Sequence, residues 1–247
     1  MRTLGVDTAT STASVAIIED GLLVAEKIIP RGASVNSITL NRFRSNHAEI
    51  LLPLIASVLQ TSALSLAELS ALAVSIGPGS FTGLRIGLST VKGLAYGGDI
   101  PVVGVSTLLA NAARVADYDG LICSLLDARK KEVYASLFYR SDDNLERVTE
   151  DSVLDIKEII DLVRKHDARC LFIGDGAALY EQLLKEALGH EVYFRGENTS
   201  PSVAAAVARL SENRRASSDP HALLPLAPIY LRSSEAEAKP KNSSLTG

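Results

Sequence analysis

Ile76-Gly77-Pro78-Gly79-Ser80-Phe81-Thr82-Gly83-Leu84-Arg85-Ile86-Gly87 sets four glycines and a proline between an apolar strand and a helix. Upstream, Leu72-Ala73-Val74-Ser75-Ile76 reads as a buried strand. Downstream, residues 82–96 carry apolar and small side chains at helical spacing, with Ser80 as the N-cap. Such a unit is a common way to point backbone N–H groups and a positive helix end at an anion. The spacing nevertheless disagrees with the standard phosphate loops. A Walker loop needs Gly-Lys-Ser/Thr after four residues, whereas Gly83 is followed by Leu84 and Arg85, and the dinucleotide fingerprint misses by one residue. Pro78 and Thr82 stand where a nucleophile elbow around Ser80 needs glycine. The competing reading is a tight turn with close packing. Gly83 and Gly87 share one helical face, continued by Val91 and Leu94. Each interior glycine weakens a helix by about 1 kcal/mol against alanine, so a close neighbour must offset that cost.

Working outward, residues 4–7, 13–18 and 22–29 read as an antiparallel meander. Residues 47–60 have helical periodicity, with Ile50, Leu51, Leu54, Ile55 and Val58 on the apolar face. Pro53 is expected to kink the first turns or to move the helix start to about residue 52. Strand 101–105 and a helix at 106–115 follow, and then the pattern restarts. Strands at 120–126 and 132–139 flank a polar turn at 127–131. A helix at 156–165, a strand at 170–173 and helices at 177–187 and 203–210 complete it.

The 247 residues are 47% hydrophobic and 22% charged, as in a soluble globular protein of one large domain or two lobes. A formal net charge of −4 argues against nucleic-acid binding by bulk electrostatics, while leaving room for a local basic patch. Cys123 and Cys170 lack metal-type spacing and read as reduced core residues. The chain opens on strand-like residues without a secretory pattern, and no apolar run reaches about 18 residues, so a cytoplasmic location is expected.

Two halves that each open with a hairpin and continue with strand and helix resemble the duplicated lobes of the actin, hexokinase and Hsp70 superfamily. The expected fold is therefore α/β and two-lobed (ASKHA). Its lobes are placed at 1–104 and 105–232, with the last segment free to pack back on the first lobe, and a disordered tail at 233–247. In active kinases of that class a glycine follows the aspartate of the first hairpin turn. Here the turn is Asp7-Thr8-Ala9-Thr10. Asp7 is either a phosphate or metal residue or a strand end that hydrogen-bonds its own turn.

A more specific likeness rests on six segments: Gly5-Val6-Asp7-Thr8-Ala9, His47-Ala48-Glu49-Ile50-Leu51-Leu52-Pro53, Gly77 through Arg85, Leu126-Asp127-Ala128-Arg129, Glu132-Val133-Tyr134 and Pro228-Ile229-Tyr230-Leu231-Arg232. Together they closely resemble the bacterial TsaB family, also called YeaZ, over residues 4–232. That resemblance implies a non-catalytic subunit that binds and supports TsaD, with TsaE. TsaD then transfers threonylcarbamoyl to N6 of the adenosine after the anticodon in tRNAs reading codons that begin with A.

In TsaD a His-x-x-x-His pair holds a metal; here the first position is His47 and the second is Leu51. One imidazole beside an isobutyl group makes no competent site without several ligands from elsewhere. His166, His190 and His221 have no paired spacing. No catalytic residue, metal or cofactor is therefore expected, and a metalloprotease is disfavoured.

The partner surface is expected on the two helices, from His47, Ile50, Leu51, Leu54, Gly83, Leu84, Gly87, Leu88 and Val91, facing TsaD or, for the chain alone, a second copy. No membrane contact is expected. The tRNA is expected to be engaged only through the complex. Arg42 with Arg44, and Arg129-Lys130-Lys131 at a hairpin tip, read as solvated turns or tRNA contacts. Two competing classes are an ASKHA-type small-molecule kinase and a dinucleotide-dependent oxidoreductase.

Overall fold

Strands β1 (Arg2–Asp7), β2 (Thr12–Glu19) and β3 (Leu22–Pro30) form the meander, paired antiparallel from Arg2↔Glu19 to Asp7↔Ser14 and onward to β3. The computed structural model describes residues 1–30, 47–196, 201–212 and 226–232. After α1 (His47–Thr61), β4 (Ala71–Gly77) adds parallel to β1; after α2 (Phe81–Gly98), β5 (Val102–Ser106) adds parallel to β4. The sheet order is β3-β2-β1-β4-β5.

Beyond α3 (Thr107–Ala113) the same plan recurs. Strands β6 (Gly120–Arg129) and β7 (Glu132–Ser141) form the second hairpin, and the short β8 (Asn144–Arg147) and β9 (Ser152–Asp155) both pair antiparallel to β7. Helix α4 (Ile156–Arg164) leads to β10 (Cys170–Ile173), which is parallel to β6. Helices α5 (Asp175–Leu179) and α6 (Glu181–Leu188) lead to β11 (Val192–Arg195), parallel to β10. Strand order and directions match those of the first sheet, so the molecule is a two-lobed α/β protein of the actin and hexokinase type.

Helix α7 (Val203–Glu212) returns to the first lobe. Its Ala204, Ala205 and Ala208 pack on Ala16 and Ile18 of β2, while Ala206 and Val207 meet Ala73, Val103 and Val105. The other face of that sheet is covered by α1 and α2, through Leu51, Leu54, Val58, Leu88 and Val91. Burial on both faces explains why β1, β2 and β4 are continuous apolar runs rather than alternating ones. Between the two sheets lies α3, with Ala110 in the first lobe's core and Leu108 and Ala112 beside Ile122 and Phe138 of the second.

Several expectations need correction. Pro53 does not move the start of α1 to about residue 52, since the helix runs from His47; the buried stripe of Ile50, Leu51, Leu54, Ile55 and Val58 holds the helix past the lost backbone bond. The turn expected at 127–131 is shorter, because β6 runs to Arg129 and β7 starts at Glu132. The single helix expected at 177–187 is two, joined at Tyr180. The expectations about Arg42, Arg44, His221 and the tail at 233–247 fall outside the described residues.

Candidate functional site

The glycine loop is filled by the chain's own backbone. Ser80 N–H donates to Ala9 O at 2.8 Å, and a Cβ on Gly79 would lie 2.4 Å from that same oxygen. A Cβ on Gly83 would stand 1.8 Å from Thr8 O, and one on Gly87 2.4 Å from Thr8 Oγ1. Real Cβ atoms do not come that close, so glycine is required for the first hairpin turn to seat against the start of α2. The turn is also bonded there, since Thr8 Oγ1 donates to Gly83 O at 2.7 Å. Ser80 caps α2 as its position suggested, accepting from Gly83 N–H at 3.2 Å. Two of the N–H groups at the start of α2 are thus directed at the chain itself, that of Ser80 at Ala9 and that of Gly83 at Ser80.

Asp7 closes the same turn from inside. It is wholly buried; Oδ2 accepts the Thr10 hydroxyl at 2.7 Å and Oδ1 accepts the Ala9 N–H at 3.2 Å. Burial pushes its carboxyl up from the usual range, opposed by these hydrogen bonds and by the Arg114 guanidinium. Asp7 therefore hydrogen-bonds its own turn. The second hairpin repeats the device: Asp127 Oδ1 accepts the N–H of Arg129, two residues on, at 2.8 Å. Asp127 N–H in turn donates to Asp175 Oδ1 at 2.8 Å, where burial pushes that carboxyl up.

Residues 226–232 span the two lobes. Ile229 N–H donates to Ile76 O at 2.6 Å, Tyr230 stacks on Phe81 with ring centroids 4.1 Å apart, and Arg85 Nε donates to the Tyr230 hydroxyl at 3.0 Å. Two residues later Arg232 donates to Ala128 O at 3.2 Å and pairs with Glu132 at 2.6 Å. The strap thus joins the glycine loop to the second hairpin.

A family model described as TsaD, tRNA N6-adenosine threonylcarbamoyltransferase, matches residues 41–239. The tRNA threonylcarbamoyladenosine biosynthesis protein TsaB of Bacillus subtilis is 31% identical over 97% of both chains. That of Escherichia coli is 33% identical over 76% of this chain and 77% of its own. The chain belongs to the TsaB family. Membership places it in tRNA threonylcarbamoyladenosine biosynthesis. Among solved structures, a Pseudomonas aeruginosa protein described as similar to the peptidase YeaZ superposes with a TM-score of 0.72. It is 23% identical, covers 94% of this chain and 99% of its own, and shows the shared fold.

The TsaB-family helices place the expected interface residues differently from the sequence reading. Ile50, Leu51, Leu54, Leu84, Leu88 and Val91 are all buried in the first lobe, and Gly83 and Gly87 face Thr8. These residues are core within the chain itself, because an apolar helical face is the same pattern whether its own sheet or a partner covers it, and the side chain of His47 lies outside the described residues. The two helices do touch one another. Their outward faces carry other residues, notably Leu52, 53% exposed, and Tyr96, 81% exposed. Their exposure could have been suspected from their positions off the apolar stripe. Nor do the residues fit the metal that the TsaD likeness implies, since Leu51 is 0% exposed within an apolar cluster. Among the described residues no group of three His, Cys, Asp or Glu is arranged to hold a metal ion.

Proposed function

We propose that this chain is the non-catalytic subunit that binds and supports TsaD. With TsaE, it serves the transfer of threonylcarbamoyl to N6 of the adenosine following the anticodon in tRNAs reading codons that begin with A. The observation that carries the reading is the seating of the Thr8-Ala9 turn in the glycine loop. In a kinase of this fold that turn approaches a phosphate; here Ala9 O and the Ser80 N–H satisfy each other. The buried Leu51 supports the same conclusion, because an apolar core side chain stands at the second metal position. The partner surface is the outward side of α1 and α2, with Leu52 and Tyr96 as large exposed apolar anchors.

Reconstitution tests this reading. TsaD, TsaE and threonylcarbamoyl adenylate from the same genome should modify tRNA only when this chain is added, and the chain alone should not turn over ATP. Full modification without it, or ATP hydrolysis by it alone, would overturn the reading. Leu52→Glu should weaken the complex on size-exclusion chromatography, while circular dichroism stays that of the unaltered chain.

A further inference from the structure

The β6–β7 hairpin reverses at Arg129, Lys130 and Lys131, whose φ angles are 66°, 54° and 66°. Left-handed backbone crowds a Cβ against the following carbonyl, so tight hairpin turns ordinarily place glycine or asparagine there. Here three long cations occupy it. Arg129 is paired with Asp127 at 3.2 Å. Lys130 and Lys131 are exposed and, among the described residues, neither has an ion-pair partner.

A second basic element adjoins this tip. Arg232 bonds Ala128 O at the base of the turn, and Tyr230, two residues earlier and thus at most about 7 Å away along the chain, stacks on Phe81 beside Arg85. Arg85 is exposed, has no acidic partner among the described residues, and lies over the Phe81 ring at 5.1 Å. The strap therefore links an aromatic stack and its arginine to the two unpaired lysines. Such a ridge on a chain of net charge −4 is a local reversal of sign, and it suits a polyanion with regularly spaced charges and flat bases.

We infer that this ridge is an RNA-backbone contact: within the complex proposed above, and resting on that reading, Lys130 and Lys131 hold phosphates of the bound tRNA, with the Phe81–Tyr230–Arg85 edge as the neighbouring contact. The chain is then a direct, sequence-independent part of the tRNA platform and not only a support for its partner.

The test is a salt titration of tRNA binding by the complex of the full chain with TsaD, comparing the unaltered chain with Lys130→Asn/Lys131→Asn. Asparagine removes the charge and tolerates left-handed backbone, so the turn is kept. Size-exclusion chromatography should show unchanged assembly. The slope of log affinity against log salt should fall by about 2, and affinity near physiological salt by at least about tenfold. Lys157→Asn/Lys165→Asn, at exposed positions on α4 and at its C-terminal end, makes the same charge change away from the ridge and should leave the slope unaltered. An unchanged slope for the hairpin variant, or an equal loss for the α4 variant, would overturn the inference. So would loss of assembly by the hairpin variant, which would assign the tip to an acidic protein surface. If the unaltered chain failed to assemble with TsaD, the reading above would fall first and this one with it.

Discussion

The hydroxyl of Thr8 donates a 2.7 Å hydrogen bond to the carbonyl of Gly83, and the Thr8 carbonyl stands 1.8 Å from where a Cβ of Gly83 would be. This one contact ties the first hairpin turn to the N-terminal turn of α2 and explains why a helix keeps a glycine there. Gly83→Ala should gain about 1 kcal/mol of helix propensity and lose more to the clash with backbone that cannot rotate away. The expected result is net destabilisation of about 1–3 kcal/mol in urea unfolding. Gly93→Ala, on the exposed side of the same helix with nothing within 4 Å of the added methyl, should stabilise by up to about 1 kcal/mol. Equal effects at the two positions would contradict the packing argument.

The strap makes a second prediction. The stacked Phe81–Tyr230 pair is worth about 0.5–1.5 kcal/mol beyond its buried area, and the half-exposed Arg232–Glu132 pair no more than about 1 kcal/mol. Tyr230→Ala should therefore loosen residues 226–232 more than Arg232→Gln does. Hydrogen exchange at the Ile229 amide, which bonds Ile76 O, reads this directly and should accelerate in that order. Protection that is the same in both variants would mean that the stack does not hold the strap.

Both cysteines are buried, and burial pushes each thiol well up from its ordinary value. Since the thiolate is the nucleophile, neither Cys123 nor Cys170 should react with a thiol reagent at neutral pH until the chain is unfolded, when both should react. Rapid labelling of either one in the native protein would count against the core packing of β6 and β10.

The first meander, the Ser80 cap, the glycine-loop helix and the second hairpin were legible because each is written in local pattern and turn chemistry. The partner of the glycines was not. Thr8 lies 75 residues upstream of Gly83, and a glycine signals close approach without saying of what. Gly5 poses the same problem: a Cβ there would lie 2.0 Å from Ala204 O, so its absence admits α7 against β1, a contact no local window contains. The apolar stripes of α1 and α2 pointed to burial, and their own sheet is what they bury against in the chain itself. β8, β9 and β11 escaped notice as four-residue strands with partly exposed side chains, too short for alternation to stand out from loop.

Asp7 supplies the last prediction, in which pH sets the sign. Its folded pKa is raised by burial above the ordinary value of 3.8, so between that value and the folded pKa the native state holds a proton that the unfolded chain has released. Stability from this group is therefore greatest in acid, falls as pH rises through that window, and is constant above it. An amide in its place would not titrate. The difference in unfolding free energy between the unaltered chain and Asp7→Asn should accordingly move in favour of the variant as pH is raised from about 4 to about 7. The Thr10 hydroxyl and Ala9 N–H set a limit on that gain, since both donate to the carboxylate and an amide offers only one acceptor oxygen. Urea unfolding of the two proteins across that range reads the balance. A difference moving toward the unaltered chain with rising pH would show that the hydrogen bonds outweigh desolvation and hold the Asp7 carboxyl below its ordinary value.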